Sequence, residues 1–232
     1  MKLILVHGSG GSSLSYHYQT RHFPDAVAVD LPGHPHGAPC ASVELYAEWL
    51  RGYIGGRGYR DVVLGGHSLG GAIVLTYAMK YPDEVRGLVL VGTGARLRVH
   101  PDVLAECQAA ATDQVARQRW LQARAANYSK VAPDVRRMLL KKTDEIGPAV
   151  MHGDLVCCDR FDIMERIGHV RARTLICQGD EDVMTPVKYG RFLAEKLPSA
   201  TLEVFPGGTH QVMLEQPDAV NQAIERFLGA LR

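Results

Sequence analysis

Six short apolar runs that do not alternate polar with apolar residues constrain this chain more than any other feature. They lie at 2–6 (KLILV), 26–29 (AVAV), 61–65 (DVVLG), 85–91 (VRGLVLV), 173–177 (RTLIC) and 201–205 (TLEVF). A strand covered on one face alternates apolar with polar residues, whereas an unbroken run belongs to a strand covered on both. Helical patterns fall between the runs. Ser42 is placed to cap a helix that runs through about Ile54 and ends at Gly55-Gly56. A second spans Leu69 to Lys80 and stops before Pro82. The last, about 217–231, carries Val220, Ile224, Phe227, Leu228 and Leu231 on one stripe. Strands alternating with helices predict an α/β fold with a doubly wound, mainly parallel sheet.

One stretch breaks the rhythm. Residues 96–168 offer no convincing strand, only helix-favouring text such as PDVLAECQAAATDQVARQRWLQARAANY. This predicts a helical cap over the strand ends, inserted into a core made of 1–95 and 169–232. No linker or repeat marks off a separate unit.

Composition excludes several function classes. The 232 residues hold 26 basic and 25 acidic side chains, a net charge of +1, with no block of like charge. Neither nucleic acid nor an anionic membrane is therefore expected as a partner. The apolar start LILV is too short for a signal-peptide core, and no run approaches a membrane span. Five cysteines, an odd number that includes the neighbours Cys157 and Cys158, read as reduced thiols of a cytoplasmic protein. No metal site is expected, because neither CxxC nor HxxxH spacing occurs, and His34-Pro35-His36 reads as a polar loop.

The third run leads straight into VVLGGHSLGGAIVL, where Gly66-His67-Ser68-Leu69-Gly70 fits the G-x-S-x-G pattern. A strand that turns at once into a helix strains the serine and leaves its neighbours no room for side chains. A serine hydroxyl needs a base beside it, and the base needs an orienting carboxylate. In open α/β sheets such groups gather at the carboxyl ends of strands. His210, in FPGGTHQVMLEQP after the last run, has that address. For the acid, Asp180, Glu181 and Asp182 crowd one turn in QGDEDVMTP. Like charges this close must be separated or given different partners, and this alone leaves open which one works.

Serine loop, acid loop and histidine loop, in that order, resemble the α/β-hydrolase family over all of the chain except the cap. HGSGGS at 7–12 resembles its oxyanion loop, and DLPGHPHG at 30–37 its D-x-x-G-x-G turn, with Pro35 in place of the second glycine. The resemblance implies a triad of Ser68, His210 and Asp182, because Gly179, Asp182 and Pro186 fit the family's G-x-x-D-x-x-x-P spacing. Asp180 is the alternative acid, and Glu181 is expected to be solvated. The oxyanion hole falls to the N–H groups of Leu69 and Ser9, with Gly10 able to replace Ser9. His7 and His67 are expected to shape these turns.

The family also implies six strands ordered 2-1-3-4-5-6, lacking the antiparallel hairpin that often opens the fold. The exposed first strand then needs covering, by the last helix or by a neighbouring subunit, and monomer and homodimer both stay open. The implied activity is a serine hydrolase that cleaves small carboxylic esters through an acyl-enzyme, without a cofactor. A carbon–carbon bond hydrolase, an enol-lactonase, a thioesterase or a perhydrolase could use the same triad, and a hydrolase-like receptor is a different class. The ester is expected between cap and strand ends, floored by Met184 and Val212. Trp120, Tyr128, Met138 and Phe161 are candidates on the cap side.

Overall fold

A computed structural model describes residues 1–232, the whole sequence. The six runs become β1 (Lys2–Val6), β2 (Val27–Val29), β3 (Val62–His67), β4 (Val85–Val91), β5 (Arg173–Gly179) and β6 (Ala200–Phe205). They form one sheet in the order β2-β1-β3-β4-β5-β6, with every pair parallel. The helices are α1 (His17–His22), α2 (Val43–Gly56), α3 (Leu69–Lys80), α4 (Pro101–Ala110), α5 (Gln114–Asn127), α6 (Pro133–Ile146), α7 (Pro148–Arg160), α8 (Val187–Lys196), α9 (Val212–Glu215) and α10 (Pro217–Ala230).

The unbroken runs are explained by what their residues face. Ile4, Leu64, Leu88, Leu90 and Ile176 enter one buried core, which they share with α2, α3 and α8. Their chain neighbours Leu3, Leu5, Val63, Val89 and Leu175 enter a second core with α9 and α10. Successive side chains on a strand point to opposite faces, so β1, β3, β4 and β5 feed both cores and need apolar residues throughout, whereas β6, at the sheet edge, exposes Thr201 and Val204 and is not covered on both faces.

Local signals place the helix ends. The Ser42 hydroxyl accepts a hydrogen bond from Leu45 N at 3.2 Å and caps α2, which runs on through Gly56. On α10, Val220 and Ile224 are buried and Phe227 and Leu228 pack against them. The edge of the sheet beside β1 is β2, only three residues long, and a short edge limits pairing with another chain. Rather than covering that edge, α10 lies across β4 and β5, where Phe227 and Leu231 meet Gly87 and Arg173 donates to the Ala230 carbonyl at 2.6 Å. No helix is long and apolar enough to cross a membrane.

Between β4 and β5 there is no strand. The chain forms α4 to α7 there, and one antiparallel bridge between Arg96 and Asp162 joins the two ends of the insertion.

At Ser68 the passage from β3 to α3 takes no intervening residue but the serine itself, at φ 53° and ψ −116°. A Cβ added to Gly66 would stand 2.2 Å from the Gly70 carbonyl oxygen, and one added to Gly70 would stand 2.1 Å from that of Val6. These are backbone contacts that cannot yield by a rotamer change. Gly70→Ala should therefore cost more than about 3 kcal/mol or prevent folding. Gly52, exposed within α2 with nothing within 4 Å, is the control. Gly52→Ala should stabilise by about 0.5–1 kcal/mol. Urea midpoints that are equal for the two variants would contradict this account.

Candidate active site

The parallel strands bring their carboxyl ends together, and the loops that follow β1, β3, β5 and β6 meet under the insertion. There they border a cavity of about 350 Å³. Ser68 and His210 line it from the sheet side, Val103 from α4, Arg124 from α5, and Met151 and Leu155 from α7.

The three crowded carboxylates go three ways. Asp180 accepts from Gly207 N at 2.6 Å, and Glu181 from Lys130 Nζ at 2.6 Å, both at the exposed surface. Only Asp182 turns inward, where its Oδ2 lies 2.8 Å from His210 Nδ1. The second oxygen, Oδ1, accepts from the N–H groups of Met184 and Thr185, each at 2.9 Å, and the Thr185 hydroxyl donates to Oδ2 at 2.7 Å. Burial alone would push this carboxyl up. The hydrogen bond and charge of His210, with the donors of Thr185, outweigh burial and hold it below the ordinary carboxylate range. A Cβ on Gly179 would meet the Gly208 carbonyl oxygen at 2.2 Å, so the end of β5 lies directly on the histidine loop.

Ser68 and His210 share the cavity, although no hydrogen bond joins the hydroxyl to the imidazole in this arrangement. Loop 8–11 abuts the serine: a Cβ on Gly8 would lie 3.1 Å from Ser68 Cβ. Leu69 is the first residue of α3, where an N–H finds no acceptor within the helix. Ser9 N donates to no protein group, whereas Gly10 N is taken by Asp154 Oδ2 at 2.8 Å. Free donors therefore stand beside the serine at Leu69 and Ser9, and an oxygen gaining negative charge there could be received by both.

Two further histidines brace these loops in neutral form. Burial and the neighbouring His210 push His67 down to about 3, and its Nε2 donates to the His210 carbonyl at 2.8 Å. Burial and His34 push His7 down to about 4. Its Nδ1 donates to the Gly8 carbonyl at 2.8 Å, and its Nε2 accepts from Leu31 N at 3.1 Å.

His34 is not part of a polar loop, as its sequence neighbours suggest. It is buried, and its Nε2 lies 2.8 Å from Asp154 Oδ2. The Tyr46 hydroxyl donates to Asp154 Oδ1 at 2.8 Å. Burial alone would lower His34, but the hydrogen bond and charge of Asp154 raise it above its ordinary value. Asp154 thus ties α7 to three core segments at once, and the sequence reading passed over it because its partners lie far away in the chain. The only signal was an acidic residue in HGDLVCC among apolar positions.

The expected substrate contacts divide. Met184 and Tyr128 line the cavity. Trp120 and Val212 do not: Trp120 packs on Cys107, Ala110 and Met151 inside the insertion, and Val212 is buried in the second core. Met138 is exposed on α6, and Phe161 belongs to the first core. No group of three or more His, Cys, Asp or Glu side chains is placed to hold a metal ion.

Such a sheet, with a serine on the turn after β3 and an acid and histidine after β5 and β6, is the architecture of one large class of enzymes. The sequence profile of the Alpha/beta hydrolase family matches residues 3–223, and the chain belongs to that family, a hydrolase by class. The 2-hydroxy-6-oxo-6-phenylhexa-2,4-dienoate hydrolase of Burkholderia cepacia is 24% identical, over 98% of this chain and 87% of that protein. The pimeloyl-[acyl-carrier protein] methyl ester esterase of Chromobacterium violaceum is 28% identical, over 86% and 82%. A thermophilic esterase of known structure superimposes with a TM-score of 0.80 at 31% identity, covering 99% of this chain and 90% of that one.

The lowered Asp182 carboxyl has a consequence for stability. A group whose pKa is depressed by folding stabilises the protein above its unfolded value, about 3.9 for aspartate, and that contribution is lost as pH falls through the folded value. Asp182→Asn should therefore lower the urea midpoint at pH 7, and the deficit should shrink as the pH is taken down toward 3. A deficit that does not change with pH would contradict the ionised, hydrogen-bonded state of Asp182.

Proposed function

We propose that the chain is a serine hydrolase that cleaves small carboxylic esters through an acyl-enzyme intermediate. The observation that carries this reading is the 2.8 Å bond between His210 Nδ1 and a buried carboxylate, in a cavity that also holds the strained Ser68. In the proposed reaction, Ser68 Oγ turns toward His210 Nε2, gives up its proton to that nitrogen and attacks the ester carbonyl carbon. Asp182 keeps the Nδ1 proton in place and stabilises the imidazolium. The carbonyl oxygen becomes an oxyanion that accepts from Leu69 N–H and Ser9 N–H. Collapse expels the alcohol, which takes the proton from Nε2 and leaves the acyl group on Ser68. Water then repeats the sequence, with His210 again as base, and releases the acid and the free serine.

The esterases among the relatives support this chemistry, and the Burkholderia cepacia relative, by its name, is a hydrolase of a dienoate. The direct test is labelling by a fluorophosphonate. Ser68→Ala should lose both labelling and hydrolysis of p-nitrophenyl acetate while keeping its melting temperature, because the turn is held by backbone and glycines. A folded Ser68→Ala protein that still hydrolyses the ester would overturn the acyl-enzyme route. A carbon–carbon bond hydrolase would instead label at Ser68 and turn over simple esters poorly.

The acid is tested in the same assay. Asp182→Asn should lower kcat on the order of 10⁴-fold, by presenting the wrong imidazole tautomer, whereas Asp180→Asn, which touches only Gly207, should cost little. The reverse order would refute the assignment. Substrate size follows from the cavity of about 350 Å³. Each buried methylene contributes roughly 0.8 kcal/mol until the space is full. The specificity constant for p-nitrophenyl esters should peak at about two to six acyl carbons and fall steeply by about twelve.

A further inference from the structure

The fixed charges on the wall of the cavity are cationic. Arg98 and Arg124 line it together with His67, His100 and His210, and no Asp or Glu does. Four of these five side chains are answered by nearby groups, His67 by the His210 carbonyl and His210 by Asp182. Arg98 Nη2 lies 3.5 Å from Asp162 and its Nη1 donates to the Asp159 carbonyl, and His100 lies 3.4 Å from Asp102. Arg124 is not answered. It forms no ion pair, its one hydrogen bond runs from Nη1 to the Met151 sulfur at 3.8 Å, and its Nε is buried with no acceptor. A guanidinium remains charged and carries five donors, and a dry donor without an acceptor, here Nε, is costly.

The position of that group is specific. Met151, which Arg124 touches, packs on Gly10: a Cβ there would lie 2.9 Å from Met151 Cβ. Gly10 belongs to the loop that abuts Ser68. Arg124 therefore stands one side chain beyond the serine loop, on the wall of the cavity that Ser68 also lines. A planar fork with free donors is suited to a carboxylate.

We infer that the substrate carries a carboxylate remote from its ester bond and that Arg124 receives it. This names the substrate class of the ester-hydrolase reading above and rests on it. Half-esters of short dicarboxylic acids are the simplest molecules of this kind. The free acid of such an ester shares the carboxylate and binds without any reaction.

The test compares monoethyl glutarate with diethyl glutarate, which share acyl length and leaving group and differ in charge. The wild-type protein should favour the half-ester in kcat/KM by about ten- to a hundred-fold. Arg124→Met and Arg124→Gln should each bring that ratio close to one, and Arg124→Lys should restore part of it. A wild-type protein that hydrolyses both esters without preference would overturn the inference and leave the ester-hydrolase reading standing. A preference that survives in a folded Arg124→Met or Arg124→Gln protein would overturn the role of Arg124. If neither ester is cleaved, the ester-hydrolase reading fails for these substrates, and calorimetric titration with glutarate decides separately. Binding that both Arg124 variants abolish upholds the anion site, and no binding by the wild-type protein overturns it.

Discussion

The contact of backbone on backbone at the turn after β3 holds the rest of the structure in place. Gly66, Gly70 and the Val6 carbonyl approach so closely that no Cβ fits, and this brings the start of α3 down between β1 and β3. Every residue of α3 from Leu69 to Ala78 is buried in consequence. The same approach lays the loop after β1 against Ser68, since Gly8 also lacks room for a side chain there. A second contact of this kind joins Gly179 to Gly208, and it brings the acid loop to the histidine loop. Two backbone-tight junctions, one on each side of β4, therefore fix the relative positions of four loops.

Around these junctions the buried polar groups divide into two kinds. His7 and His67 are held neutral by burial, and they act through hydrogen bonds to backbone carbonyls and amides. Asp182 and Asp154 are buried carboxylates supplied with donors, three or more apiece. Neutral imidazoles hold loops without introducing charge into the interior. A buried carboxylate tolerates its position only because donors surround it.

Much of this was legible in the sequence, for identifiable reasons. The apolar runs marked all six strands, although β6 has exposed positions, and the family resemblance supplied their order. β3 and β5 extend past their apolar runs, because His67 and Gln178 are buried polar residues that hydropathy does not mark. Short α1 and α9 carry too few residues for a period to show, and α8 went unread in VKYGRFLAEK, where a glycine interrupts the apolar stripe. Only the family's spacing favoured Asp182 over Asp180, and in the structure the later residue turns inward to His210 while Asp180 stays with Gly207 at the surface. Trp120 could not be placed, because an aromatic residue on a helix faces either a cavity or the interior of its own bundle. The partnership of His34 with Asp154, and the unanswered charge of Arg124, depend on pairs distant in the chain, which no local pattern encodes.

The buried carboxylate of Asp154 fastens α7 to the core. It grips Gly10, His34 and Tyr46 from within α7, so lifting the helical roof as a hinged lid would break all three bonds and strand a charge. Val183 and Met184 stand at the rim with exposed side chains, on the turn that also holds Asp182. Their rotamers, which exchange within nanoseconds at an exposed site, can widen the opening without disturbing the roof. Adjustment of the cavity wall is therefore cheaper at these two side chains than at α7.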